Sequence, residues 1–158
     1  MKSNNLNKQM YNATSQDLIS KTKKFKIDIV ELSNWNDSDS VYYYHYTSLN
    51  NARQILRDRK IKANIPKVKH FGRGIFFIVL EPNSADEHII KNNYIYYSKA
   101  YVGNIQCAFA FHKNDMYLRK VYDKFNRDVW KREDDIDLNR NDFKIIVRQT
   151  NYRFHLNV

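Results

Sequence analysis

Three stretches of this 158-residue chain combine residue types that do chemistry: His45 within Tyr44-His45-Tyr46-Thr47-Ser48, Arg73 between Gly72 and Gly74, and the acidic run Glu133, Asp134, Asp135 and Asp137. A histidine can donate or accept through a ring nitrogen. An arginine flanked by glycines, which let the backbone approach closely, can meet a phosphate, and a carboxylate can stabilise developing positive charge. Each also has a plainer reading. His45 among tyrosines reads as readily as a packed, hydrogen-bonded histidine, and the acidic run as a solvated loop. Phe76 in its apolar run reads as core, and the basic residues from Arg53 to Arg73 read as a solvated helix face and loop. The glycines precede a strand pattern rather than a helix, so they are not the dinucleotide fingerprint of a Rossmann fold. The lone Cys107 excludes an intramolecular disulfide and a cysteine-built zinc site, and its apolar neighbours predict a buried, inert thiol. Five scattered histidines with no close pair predict no metal centre.

These residues need a scaffold, and the chain is long enough to build one. Its length suits a single domain, and the 12 Tyr and 9 Phe supply enough ring surface for a core and a pocket lining. The excess of 27 Lys and Arg over 17 Asp and Glu, a formal charge of +10, favours partners such as nucleic acid, nucleotide phosphates or an anionic membrane. No run reaches the roughly 20 apolar residues of a membrane span, and the polar Met1 to Lys24 segment has no signal-peptide core. A cytoplasmic location is the default expectation, with secretion or delivery by another route left open.

Residues 1–22 read as a polar, partly mobile leader and 23–158 as one domain. Phe25, Ile27 and Ile29 alternate with polar residues as in a half-buried strand, and Val41 to Tyr46 reads as a second strand carrying His45. Leu49, Ala52, Ile55 and Leu56 share a helical face that Thr47 or Ser48 can cap. Pro66 and the glycine pair bracket a basic loop containing Lys67, Lys69, His70 and Arg73. Ile75 to Leu80 then reads as a buried strand, and Ser84 with Glu87 as a capping box opening a short helix to about Lys91. Strands are expected at Ile105 to Phe111, around Val121-Tyr122 and Val129-Trp130, and in a closing hairpin of Phe143 to Arg148 and Tyr152 to Leu156. The pattern predicts an α+β fold with a mainly antiparallel sheet and a few short helices.

Tyr44-His45-Tyr46-Thr47-Ser48, the following helix with Lys60-Ile61-Lys62-Ala63, and Gly72-Arg73-Gly74-Ile75-Phe76-Phe77 resemble the toxin-type ADP-ribosyltransferases with a His-Tyr-Asp signature, whose distant relatives include the rifampin-modifying transferases. The resemblance spans about Tyr42 to Ile146. It implies a split antiparallel β-sheet core, NAD as substrate, and transfer of ADP-ribose to a macromolecular acceptor with release of nicotinamide, as in a toxin or effector. His45 would orient the adenosine-side ribose, with Tyr46, Thr47, Gly72, Arg73, Gly74 and Phe76 around the dinucleotide. Asp137, or in second place Asp135, would be the essential acid. The family usually has Tyr at the place of Phe76 and Ser or Thr at that of Ile78; a phenylalanine ring can still stack on nicotinamide. The acceptor, protein or nucleic acid, stays open, and an inhibitor or immunity protein is a further implied partner. Simple NAD hydrolysis, a degenerate NAD-binding pseudoenzyme, and a non-catalytic nucleic-acid-binding domain with Tyr94, Tyr96, Tyr97 and Tyr101 as base-stacking rings are the alternatives.

Overall fold

The computed structural model describes residues 27–64 and 71–148. The leader, the loop residues Lys67, Lys69 and His70, and the strand expected at Tyr152 to Leu156 lie outside them. The fold is α+β, with nine strands, two α-helices and three short 3₁₀ segments among the described residues. A four-stranded sheet has the order β1 (Ile29–Glu31), β9 (Lys144–Val147), β5 (Cys107–His112), β2 (Tyr42–Thr47). A three-stranded sheet has the order β4 (Ile75–Phe77), β7 (Trp130–Arg132), β6 (Arg119–Lys120), and β3 (Lys60–Ile61) pairs with β8 (Ile136–Asp137). All pairings but the parallel β1–β9 are antiparallel.

Local chemistry explains the main elements. Helix α1 (Leu49–Asp58) starts where the Ser48 hydroxyl accepts the Asn51 N–H, buries Leu49, Ala52 and Leu56 along one face, and ends at Arg59 with φ 53°. Strand β5 is apolar and buried on both faces. Its Cys107, Phe109 and Phe111 join the main core with α1, Phe77 and Ile145, whereas Ala108 and Ala110 leave room on the other face for Trp35 and Tyr44. There the Trp35 indole N–H donates to the Tyr44 hydroxyl at 3.1 Å, and that hydroxyl donates to the buried Asp37 carboxylate at 2.7 Å. This network satisfies polar groups that would otherwise be costly inside a core.

Three local expectations are corrected. The run Ile75 to Leu80 is not one strand: β4 stops at Phe77, Ile78 pairs with Tyr44 through an isolated bridge, and the Val79 N–H goes to Asp128 at 2.6 Å. The Ser84–Glu87 capping box does not form. Helix α2 (Asp86–Tyr94) has Ala85 at its N-cap without a side-chain cap, while Arg148 takes the Ser84 carbonyl at 2.9 Å. The acidic run is a loop only in part: Glu133 to Asp135 lie outside the strands, with Glu133 and Asp134 exposed, whereas Asp137 belongs to β8, which pairs with β3.

The two larger sheets touch through the Tyr44–Ile78 bridge, with reciprocal backbone bonds of 2.8 and 3.0 Å. Strand β2 keeps its six-residue ladder with β5 and β4 its ladder with β7, so next to the bridge each strand is committed to a different sheet. The resulting seam runs past His45 on one side and Phe76 on the other.

Candidate active site at the seam between two sheets

His45 follows Tyr44 directly, and its Nδ1 lies 2.9 Å from the Phe76 carbonyl oxygen. A carbonyl only accepts, so Nδ1 carries the proton and, in the neutral ring, Nε2 presents a lone pair. Among the described residues Nε2 has no hydrogen-bond partner. The ring packs on Phe77, 5.8 Å between centroids, as alternation along β2 requires of a side chain on the Tyr43 and Thr47 face. Phe76 points to the opposite face of β4, where its ring meets Phe71 at 5.8 Å and Lys131 is its cross-strand neighbour.

Burial lowers the pKa of His45 below its ordinary 6.5, and the Phe76 carbonyl offsets this in part. The fold therefore favours the neutral ring. As pH falls below about 6.5 the unfolded chain takes up this proton first, so the contribution of His45 to stability is complete above that pH and is lost below it. Between pH 7 and pH 5 the melting temperature of the wild-type chain should fall further than that of His45→Gln; superimposable pH profiles would show that burial does not restrain this imidazole.

Arg73 and Asp135 are fixed on the two sides of one residue. The Arg73 Nε donates to the Ala63 carbonyl at 3.1 Å, and the Ala63 N–H donates to Asp135 Oδ1 at 2.8 Å. Arg73, Glu133, Asp134 and Asp135 line an open cavity of about 540 Å³, within the roughly 300–1,000 Å³ range of small-molecule sites. One Asp135 oxygen and the outer guanidinium nitrogens of Arg73 have no hydrogen-bond partner among the described residues.

Asp137 is not among these lining residues. It sits opposite Lys60 in the β3–β8 pair, accepts the Asn139 N–H at 2.9 Å and has Arg140 Nε at 3.6 Å. Tyr46 donates its hydroxyl to the Leu80 carbonyl at 2.6 Å and lies on the opposite face of β2 from His45, and Thr47 is buried. The Gly74 N–H and carbonyl are both spent on Asn64, at 3.0 and 3.2 Å, which leaves no donor there for a pyrophosphate. What Gly74 does provide is room for the Lys131 stem, which crosses directly over it. Gly72 holds φ 68°, a left-handed conformation suited to glycine.

Lys131 is the residue that the sequence pattern hides. Within Trp130-Lys131-Arg132-Glu133 it reads as solvated, yet it is buried, donates from Nζ to the Phe71 carbonyl at 2.7 Å, and lies 3.7 Å from Glu133. Alternation with the core-facing Trp130 on β7 points Lys131 to the other face, so the pattern carries no signal of its burial. Burial raises the Cys107 thiol to about 12, so it stays protonated and unreactive at neutral pH. Among the described residues no group of three His, Cys, Asp or Glu could hold a metal ion, and no helix is long and apolar enough to cross a membrane. Comparison with family models, with curated proteins and with solved structures found no match in any of the three.

Proposed function

We propose that this chain transfers ADP-ribose from NAD to a macromolecular acceptor, with the dinucleotide bound along the seam and its mouth at Arg73 and Asp135. The observation that carries the reading is His45 itself. Its Nδ1 is anchored by the Phe76 carbonyl where the two sheets part, which leaves Nε2 as a fixed acceptor for a ribose hydroxyl. The resemblance to His-Tyr-Asp transferases is supported further by the proximity of the two motif segments that carry it.

In this reading the bond between nicotinamide and the ribose anomeric carbon breaks, and nicotinamide leaves with the bonding electrons. The acceptor's lone pair forms the new bond at that carbon and its proton passes to solvent. Positive charge develops on the ribose, and a carboxylate stabilises it. Asp135 is better supplied for this than Asp137. It lines the cavity beside Arg73 with one oxygen anchored and the other open, whereas Asp137 is engaged by its own turn.

The test is incubation of the full chain with NAD labelled in the adenylate, together with mixed protein and nucleic-acid acceptors, following label transfer and nicotinamide release. Turnover by the wild type should fall roughly ten- to a hundredfold in His45→Ala, as expected for loss of a positioning hydrogen bond and its packing, and at least as far in Asp135→Ala. Asp137→Ala should retain most activity. Saturable NAD binding without turnover would reassign the chain as a pseudoenzyme, and absence of both would sink the reading.

A further inference from the structure

The two most exposed aromatic rings of the described residues lie on one hairpin, with a third beside them. Tyr117 is 91% exposed, Tyr122 89% and Phe125 53%, and all three lie on the segment leading through β6 to β7. In the same segment Leu118 and Val129 are buried, so its aliphatic residues fold inward while its large rings stay in water. Among the described residues none of the three packs against another aromatic ring. Of the tyrosines suggested by sequence as stacking rings, Tyr94 and Tyr101 stack on each other at 4.1 Å and the Tyr96 and Tyr101 hydroxyls are 2.9 Å apart, while Tyr96 and Tyr97 keep 59% and 41% of their surface exposed.

Cations lie between and beside the three rings. Arg119, Lys120 and Lys124 are exposed; Arg119 pairs with the exposed Glu133 at 3.1 Å and Lys120 with Asp128 at 3.5 Å, whereas Lys124 Nζ sits 5.0 Å from the centre of the Phe125 ring with no carboxylate partner among the described residues. The acids are largely engaged. Both Asp123 oxygens are held by Arg127, at 2.7 Å from Nε and 3.2 Å from the terminal nitrogen, and this keeps the Asp123 carboxyl below its usual range. The Arg127 guanidinium also donates to the Asn92 carbonyl at 3.1 Å and covers the Phe71 ring. The hairpin tip is thereby fixed to α2, so its rings are presented on a rigid support rather than a loose loop.

We propose that this hairpin is a binding surface for single-stranded nucleic acid, with Tyr117, Tyr122 and Phe125 as stacking platforms and Arg119, Lys120 and Lys124 along the phosphates. Separate rings, Tyr117 and Tyr122 largely bare and Phe125 with Lys124 over one face, suit unpaired bases, whose faces are also free, whereas duplex bases are already stacked. A membrane surface fits less well. The rings are separated by charged residues, not gathered into one apolar patch, and insertion would desolvate the exposed Asp115. This binding does not depend on the transferase reading and holds whether or not NAD is consumed.

The experiment is fluorescence anisotropy of the full chain with labelled 12-nucleotide mixed-sequence DNA and RNA strands, at low and moderate salt. Wild type should bind saturably and more weakly as salt rises. Removing each ring should weaken binding roughly five- to a hundredfold, so Tyr117→Ala, Tyr122→Ala and Phe125→Ala together should all but abolish it. Circular dichroism should be unchanged in that triple variant. Tyr→Phe at 117 and 122 should bind like wild type, because the ring face and not the hydroxyl makes the contact. Full affinity in the triple variant would overturn the proposal, as would equal affinity for duplex or capture by phosphatidylserine vesicles without binding to either strand.

Discussion

Arg148→Ala should lower unfolding free energy by about 3–5 kcal/mol, because a buried guanidinium that satisfies three carbonyls is removed. This guanidinium serves three carbonyls at once: Nε donates to Pro82 at 2.9 Å, and the terminal nitrogens donate to Ile105 at 3.1 Å and Ser84 at 2.9 Å. It also meets Asp86 at 2.8 Å at the start of α2. Alanine leaves three acceptors without donors, and each buried orphan costs about 1–3 kcal/mol unless water reaches it. For a domain of this size the melting temperature should drop by roughly 8–15 °C. Arg148→Lys should recover only part of the loss, because an ammonium lacks the planar fork that spans the three oxygens. Urea titration of the three proteins decides it; a loss below about 1 kcal/mol in the alanine variant would mean that water replaces the guanidinium.

Gly74→Ala should be the next most damaging change, at about 1–3 kcal/mol, as for overpacking. An added Cβ would lie 2.7 Å from Lys131 Cε and 2.9 Å from both Lys131 Cγ and the Arg132 carbonyl oxygen. The lysine can move only by giving up the Phe71 carbonyl, and the Arg132 oxygen belongs to the strand with which β4 pairs. Lys131→Ala in the same chain should relieve the two side-chain clashes and leave the backbone one. A double-mutant cycle should therefore show coupling above about 0.5 kcal/mol. Strict additivity would show that the Lys131 stem does not press on this glycine. Because β4 also carries the carbonyl that anchors His45, Gly74→Ala should weaken the proposed NAD turnover as well as stability.

Sequence pattern reached furthest where the determinants are local. Helix α1 follows from a cap and three apolar positions on one face, and the β2 and β5 strands from β-branched, aromatic and apolar runs. The proximity of His45 to the Gly72–Phe76 segment was legible because both sit in recognisable motifs beside strands. The orientation of Phe76 was not, since one residue of register decides whether Phe76 or Phe77 faces the histidine. Nor were the different settings of Asp135 and Asp137, which depend on how the acidic run docks against Ala63. Ser84 carries the right spacing for a cap, but its carbonyl is held by Arg148 and the helix begins after it. Such tertiary competition for a backbone group leaves no local trace.

The parallel pairing of β1 with β9 has a consequence for the birth of the molecule. Strand β9 runs between β1 and β5, joining a segment from the start of the described chain to one near its end. On the ribosome, β2, α1 and β5 can emerge and begin to associate, but the four-stranded sheet lacks its inner strand until residues 144–147 clear the exit tunnel. Until then β1 has no ladder and one edge of β5 is bare, a state open to pairing with other chains. Completion of this sheet thus waits on the synthesis of β9, and chains released before β9 should aggregate rather than persist as partial domains.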